Sequence, residues 1–254
     1  MRRLFLPIAS LLASLVPAFG QTSNLTSAPF VGCPADGQMG PIAAPARIER
    51  VPNVAANAAG RVAYYAAERG PGVLAPRGWS CFELYGSNGE TLLVMPKLPP
   101  TDDFFRSDNK INGPVIEVAR RYGGSSGRFA VAAIAARVFP TAKSYVQRVI
   151  AEQKKVDGRL SDTAADFPQG SYPDDKLNRL SDNDVEFVTP ANSEGLGTYE
   201  GLAKGAEPIS GLALLLPGEW PDLLLVAIRL PGDLQHLSSA IVGQARTDYS
   251  KPTH

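Results

Sequence analysis

The amino-acid sequence predicts an α+β protein in which antiparallel β-hairpins form a sheet and several helices pack on one face of it. Three observations support this class. Two pairs of apolar segments flank short turns, two later segments show the periodicity of amphipathic helices, and 254 residues of 44% apolar content suffice for a core. Because there is no internal repeat and no clear linker, residues 53–254 are expected to form a single domain.

Residues 1–20 have the pattern of a cleavable signal peptide. Two arginines precede an apolar run at 4–19, and Ala18-Phe19-Gly20 places small residues around a cleavage point. The run is too short for a membrane span and contains two prolines, so a retained anchor is not favoured. The mature protein is therefore expected to be soluble and periplasmic or secreted, by the general or the twin-arginine route.

Cys33 and Cys81 are the two cysteines of the chain. An exported protein enters an oxidising compartment, where two thiols tend to form a disulfide, and these two are too far apart in sequence for a redox motif. We therefore predict a Cys33–Cys81 bridge. Residues 21–52, rich in Pro, Ala and Gly, are expected to form a loosely structured arm that the bridge ties down.

The first half of the domain is predicted to combine helices with one hairpin. The Ala-rich segment 57–68 precedes a Gly-Pro stop signal and predicts a short helix. Segments 79–85 and 91–95 flank a Gly/Asn turn and predict a β-hairpin, in whose first strand alternation places Cys81 and Glu83 on one face. A further short helix is predicted over 114–122.

The second half is more regular, with one ambiguous segment. In 128–139, alanine favours a helix, whereas Phe, Val, Ile and the flanking Gly127 and Pro140 favour a buried strand, which we prefer. The remaining predictions are an amphipathic helix over 141–155, a long Asp-rich surface loop over 157–183, a strand over 185–189, a buried hairpin from 209–216 and 223–230, and a final helix from the cap Asp233 to Arg246.

Composition excludes several functions. The precursor has 25 basic and 25 acidic residues, and the mature chain is slightly acidic, which does not favour nucleic-acid binding. His236 and His254 are the two histidines, so a His-rich metal site is excluded. Neither a phosphate-binding glycine motif nor a dinucleotide fingerprint occurs, and we therefore predict no cofactor and no metal.

Two groups of residues resemble catalytic or metal-binding patterns without matching them. Ser125 lies in a G-x-S-x-G sequence and precedes His236, but a nucleophile elbow needs a strand before it and a helix after it, and we expect the reverse order. Six aspartates suggest calcium, yet their spacing fits no EF-hand, so a solvated acidic loop is preferred; they are Asp162, Asp166, Asp174, Asp175, Asp182 and Asp184.

The segment 189–198 is the preferred ligand loop. It follows a predicted strand and collects Thr189, Asn192 and Glu194 beside two glycines, which let a backbone approach a ligand closely. No motif within it specifies the ligand.

Three functions remain from the sequence. The first is a non-catalytic exported protein of the bacterial envelope or extracellular space that binds a small molecule, an envelope protein or a cell-wall component. The alternative is a carboxylate-dependent hydrolase-type enzyme of the periplasm with Glu194 or loop aspartates as acid or base. The third is a structural subunit that uses an exposed apolar strand edge.

Overall fold

The computed structural model describes residues 24–105, 110–157 and 167–249. The predicted signal peptide, Asp162, Asp166 and His254 lie outside these residues. The described strands are β1 (Leu25–Ser27), β2 (Phe30–Gly32), β3 (Ala35–Gly37), β4 (Asn53–Ala55), β5 (Val62–Ala66), β6 (Val73–Pro76), β7 (Ser80–Gly86), β8 (Gly89–Met95), β9 (Val115–Arg121), β10 (Lys176–Ser181), β11 (Asp184–Thr189), β12 (Ile209–Leu216) and β13 (Asp222–Arg229). The helices are α1 (Thr101–Phe104), α2 (Arg128–Val138), α3 (Lys143–Asp157) and α4 (Ser238–Tyr249).

A central sheet of eight strands organises the fold. Its order is β10-β11-β12-β13-β9-β8-β7-β3, and its neighbours are antiparallel except β3 and β7, which are parallel. Smaller sheets are formed by β2-β5-β6 and by β1-β4. The α+β class predicted from the sequence is confirmed.

Both faces of the central sheet are covered. In β8, Leu92 and Val94 belong to the apolar cluster shared with the β2-β5-β6 sheet and α4, while Leu93 and Met95 belong to the cluster shared with α2 and α3. This alternation follows from the two-residue period of a strand. The expectation that helices lie on one face only is therefore wrong, because α4 packs on the face opposite α2 and α3.

Several predicted elements are confirmed. The hairpin β7–β8 has Cys81 paired with Val94 and Glu83 paired with Leu92, with Cys81 and Glu83 on one face. The hairpin β12–β13, strand β11 and helices α3 and α4 also lie where they were predicted. Cys33 and Cys81 form the predicted disulfide, with Cα atoms 5.2 Å apart, which ties the N-terminal arm to β7.

Three assignments of secondary structure are wrong. The segment predicted as a helix over 57–68 contains β5, and the one predicted over 114–122 contains β9, because both are buried and paired on two sides. In these positions tertiary packing overrides local signals, which were the helix propensity of alanine in 57–68 and the flanking Pro114 and Gly123-Gly124 in 114–122. The segment 128–139 is the helix α2 rather than a strand, and it packs against α3.

Three boundaries also differ from expectation. The arm contains short strands β1 to β3, and the region expected to be a long loop includes β10. Helix α4 begins at Ser238 after a short 3₁₀ turn over Gln235–Leu237, so Asp233 does not cap it.

Candidate functional site

The preferred ligand loop borders a cavity of about 450 Å³, here called the loop cleft. It lies where the chain before β9, the segment before β10 and the β11–β12 connection meet. The Asp-rich and ligand-loop segments therefore reach the same cleft. Its lining residues are Lys110, Tyr172, Glu194, Thr198, Tyr199, Leu202, Ala203 and Lys204.

Asp175 and Thr189 fix the first part of the ligand loop. The Thr189 hydroxyl donates a hydrogen bond of 2.6 Å to Asp175 Oδ1 and accepts one of 3.0 Å from the Gly197 N–H. Asp175 Oδ2 accepts a bond of 2.8 Å from the Leu196 N–H. These buried polar contacts hold the loop in one conformation on the sheet.

A second set of contacts fixes the opposite wall. The Ile111 N–H donates to Gly201 O at 2.8 Å, and the Ala203 N–H donates to Ile111 O at 2.9 Å. Beneath them, the buried guanidinium of Arg229 donates to the carbonyl oxygens of Ala203 and Ile111. Burial lowers the pKa of Arg229. One buried cation thus joins the two chain segments that form this wall.

Glu117 lies directly behind the wall. Its side chain is buried, and its carboxyl oxygens accept hydrogen bonds of 3.0 and 3.3 Å from the Gly201 N–H. A Cβ atom at Gly201 would stand 2.7 Å from Glu117 Oε1, so a side chain here would require the buried Glu117 carboxyl to shift. Burial, followed by the charge of Glu200, raises the pKa of Glu117 to about 8.

Glu200 itself is paired with Arg121. Arg121 donates to Glu200 Oε1 at 3.0 Å and to Oε2 at 2.8 Å, and it also bonds the Thr91 hydroxyl at 2.9 Å. Such a two-pronged, charge-assisted pair is stronger and more directional than a single hydrogen bond. Glu117 and Glu200 are therefore neighbouring carboxyl groups with opposite environments, one buried among weak partners and one paired with arginine.

The rim of the cleft carries exposed charges. Lys204 Nζ lies 2.9 Å from Glu194 Oε1, and Lys110 Nζ donates to Thr198 O at 2.9 Å. The hydrogen bond and charge of Lys204, then the charge of Lys110, lower the pKa of Glu194. At neutral pH Glu194 is therefore expected to be an ionised carboxylate, which cannot act as a general acid.

Two tyrosines supply the aromatic part of the lining. Tyr172 and Tyr199 are both half-buried, and burial raises the pKa of Tyr199 to about 12, so both phenols remain neutral near pH 7. Arg137 lies 3.9 Å from the centre of the Tyr172 ring and donates to Gly170 O. The Tyr172 ring is thus packed against the Arg137 guanidinium.

The three predicted loop residues have different positions. Glu194 lines the cleft, whereas Thr189 is fully buried and its hydroxyl is hydrogen-bonded to Asp175 and Gly197. Asn192 is exposed at a positive φ of 61°, where its N–H donates to Gly205 O at 2.8 Å. Asn tolerates this left-handed turn better than most residues.

Sequence reasoning missed most of the other cleft residues. Lys110, Tyr172 and Lys204 lie in irregular segments distant from one another in sequence, and no motif connects them. Glu117 offered a usable signal, since an acidic residue within an apolar segment is expected to be buried with a specific partner.

Ser125 and His236 do not form a catalytic pair. The order of elements predicted around Ser125 is wrong, because β9 precedes it and α2 follows it, as an elbow requires. Ser125 nevertheless donates its hydroxyl to backbone carbonyl oxygens, and His236 is exposed beside Arg61. Neither residue has the other as a partner among their described contacts.

No group of three or more His, Cys, Asp or Glu side chains within the described ranges could hold a metal ion. The described members of the Asp-rich region are used in other ways: Asp175 fixes the loop, and Asp184 pairs with Arg246 at 2.8 Å. The observation is consistent with a solvated or structural role for these acids.

A second cavity of about 600 Å³ adjoins Lys110 on its other side. It is lined by prolines and aliphatic residues from 95–100 and 111–114 together with Lys97, Asp103 and Phe104. The loop cleft is the better candidate site because it contains the predicted ligand loop and its walls are fixed by buried polar contacts.

Within the part of the chain that the structure describes, no helix has the length and apolar character needed to cross a membrane. No protein-family model matches the chain, and neither a curated protein nor a solved structure matches it.

Proposed function

We propose that this chain is an exported, non-catalytic binding protein of the bacterial envelope or extracellular space whose ligand is a small molecule held in the loop cleft. The single observation that carries the proposal is the convergence of separate segments, including Tyr172 and Glu194, around one cavity of about 450 Å³. Its walls are fixed before any ligand arrives, which reduces the entropy lost on binding.

Blocking the cleft tests this function. A library of small metabolites is screened by thermal shift on the wild-type protein and on Ala203→Trp, with Ala240→Trp on the exposed surface of α4 as the control. Binders should raise the Tm of the wild type and the control but not of Ala203→Trp. Binders that stabilise all three proteins equally would place the ligand elsewhere and contradict the proposal.

Export is tested separately by expressing the full precursor in a bacterium. Removal of residues 1–20 should give a mature protein that begins at Gln21 in the periplasm or medium. The disulfide between Cys33 and Cys81 supports an oxidising compartment. Retention of the intact precursor in the cytoplasm would contradict export.

A carboxylate-dependent hydrolase is the second candidate, and one observation favours it. Burial raises the pKa of Glu117 to about 8, Glu117 stands beside the Arg121-paired Glu200, and neighbouring carboxyl groups in unlike environments are typical of acid and base pairs. We rank it second because Gly201 packs against Glu117, which does not line the cleft. Turnover of chromogenic esters or glycosides that disappears in Glu117→Gln would reverse this order.

A further inference from the structure

The charges on the rim of the loop cleft do not balance. Two ammonium groups, those of Lys110 and Lys204, act on the carboxylate of Glu194, which Lys204 contacts at 2.9 Å, and the charge of Lys110 also acts on the buried Glu117. Among the described side chains that line the cavity, two positive charges therefore face one carboxylate.

Among the described residues, Lys110 makes one hydrogen bond and keeps further donors for a ligand. An ammonium group has three N–H bonds, and the described contact of Lys110 uses one of them for Thr198 O at 2.9 Å. That contact also holds the ammonium group at the cleft. A cation so placed suits an anionic ligand group better than a neutral or cationic one.

The interior of the cleft is suited to an aromatic ring. Tyr172 and Tyr199 present their rings, and Leu202 and Ala203 present aliphatic surface between the two walls. Both tyrosine rings line the same cavity. A ligand ring that packs against such side chains gains more than the apolar area it buries.

From these positions we propose that the ligand of the loop cleft is a small aromatic monoanion, whose negative group binds between Lys110 and Lys204 and whose ring packs against Tyr172 and Tyr199. The inference rests on the proposed binding function and specifies its ligand class. Glu194 competes with the ligand for Lys204, so it limits the affinity for anions and disfavours dianions.

Three probes of one shape test the charge preference. Benzoate, benzamide and benzylamine carry a negative, a neutral and a positive group on the same ring, and their binding to the purified protein is measured by NMR titration at fixed ionic strength. Benzoate should bind at least fivefold more tightly than the other two, and its affinity should fall as salt is added.

Variants at the rim locate the site. Lys110→Gln and Lys204→Gln should each weaken benzoate binding on the order of fivefold, about 1 kcal/mol, while Lys143→Gln on the exposed start of α3 leaves it unchanged. Glu194→Gln should tighten benzoate binding, because it removes the competing carboxylate. These positions are exposed, so the variants should keep the Tm of the wild type.

The outcomes separate the ligand class from the binding function. Benzylamine or benzamide that binds as tightly as benzoate, and is lost in Ala203→Trp, overturns the monoanion and leaves the cleft as a binding site. Weaker benzoate binding in Glu194→Gln also overturns it. A failure of all three probes overturns the aromatic class, while the binding function depends on the metabolite screen.

Discussion

At the scale of single residues, Glu83 is the least satisfied group that the structure describes. It lies fully buried on β7, and neither of its carboxyl oxygens has a hydrogen-bond partner. Gly70 packs so closely that a Cβ there would stand 2.5 Å from Glu83 Oε2. Burial, followed by the charge of Glu90, raises the pKa of Glu83 to about 8.

Replacing Glu83 should therefore stabilise the protein. We expect Glu83→Met, of similar length, to raise the free energy of unfolding at pH 9 by about 1–3 kcal/mol, since it removes a buried group that has no partner. Urea unfolding measures the difference, and Glu68→Met at an exposed position is the control. A loss of stability would mean that the Glu83 carboxyl has a favourable role in the fold.

Substitution of Gly201 should destabilise the protein, because it adds a methyl group beside the buried Glu117 carboxyl. Gly201→Ala forces a methyl group against Glu117 Oε1, where 2.7 Å is available, and should cost about 1–3 kcal/mol in the free energy of unfolding. Gly232→Ala is the matched control, because a Cβ there meets nothing within 4 Å. Equal stability of the two variants would contradict the close contact between Gly201 and Glu117.

Single residues also show how far the site could be predicted. The composition of 189–198 led to Glu194, which lines the cleft, but also to Thr189 and Asn192, whose side chains satisfy loop and turn geometry. The sequence does not show whether a hydroxyl or amide side chain contacts a ligand or the protein backbone. The decision depends on distant partners such as Asp175, which only the fold brings near.

At the scale of elements, the sequence predicts best where a helix has one apolar stripe or where a turn signal separates two apolar segments. Helix α3 has such a stripe, the hairpins β7–β8 and β12–β13 flank Gly-containing turns, and all three were predicted correctly. Strands β5 and β9 are buried on both faces, so no period remains; alanine then suggested a helix at β5, and the flanking Pro114 and Gly123-Gly124 suggested one at β9. Helix α2 is apolar nearly all round for a similar reason, since α3 and the sheet both cover it.

The disulfide determines how firmly the N-terminal arm is joined to the central sheet. Replacing Cys33 and Cys81 by alanine opens a link across a sequence separation of 48 residues and should reduce the free energy of unfolding by about 4 kcal/mol. Urea unfolding of the double variant should match that of the reduced wild type. A variant as stable as the oxidised wild type would show that the pairing of β3 with β7 suffices alone.

At the scale of the whole molecule, two buried carboxyls should govern the dependence of stability on pH. Glu83 and Glu117 have pKa values of about 8 in the folded state against an ordinary value of 4.5. Between these values the folded state binds more protons than the unfolded state, so the free energy of unfolding falls as pH rises from about 5 to 8.

Urea unfolding from pH 5 to pH 9 measures this slope. The decline should become shallower in Glu83→Met and again when Glu117→Gln is added, because each removes one titrating group. Stability that rises over the same range would contradict the buried, protonated state of both carboxyls.

The pair formed by Cys33 and Cys81 has a consequence for how the protein matures. A chain with two cysteines has one possible internal pairing, so no wrong internal bridge can form and none needs to be reshuffled. Oxidative maturation then needs a thiol oxidant but no disulfide isomerase. Errors of pairing can arise only between two molecules, and dilution during refolding should be enough to avoid them.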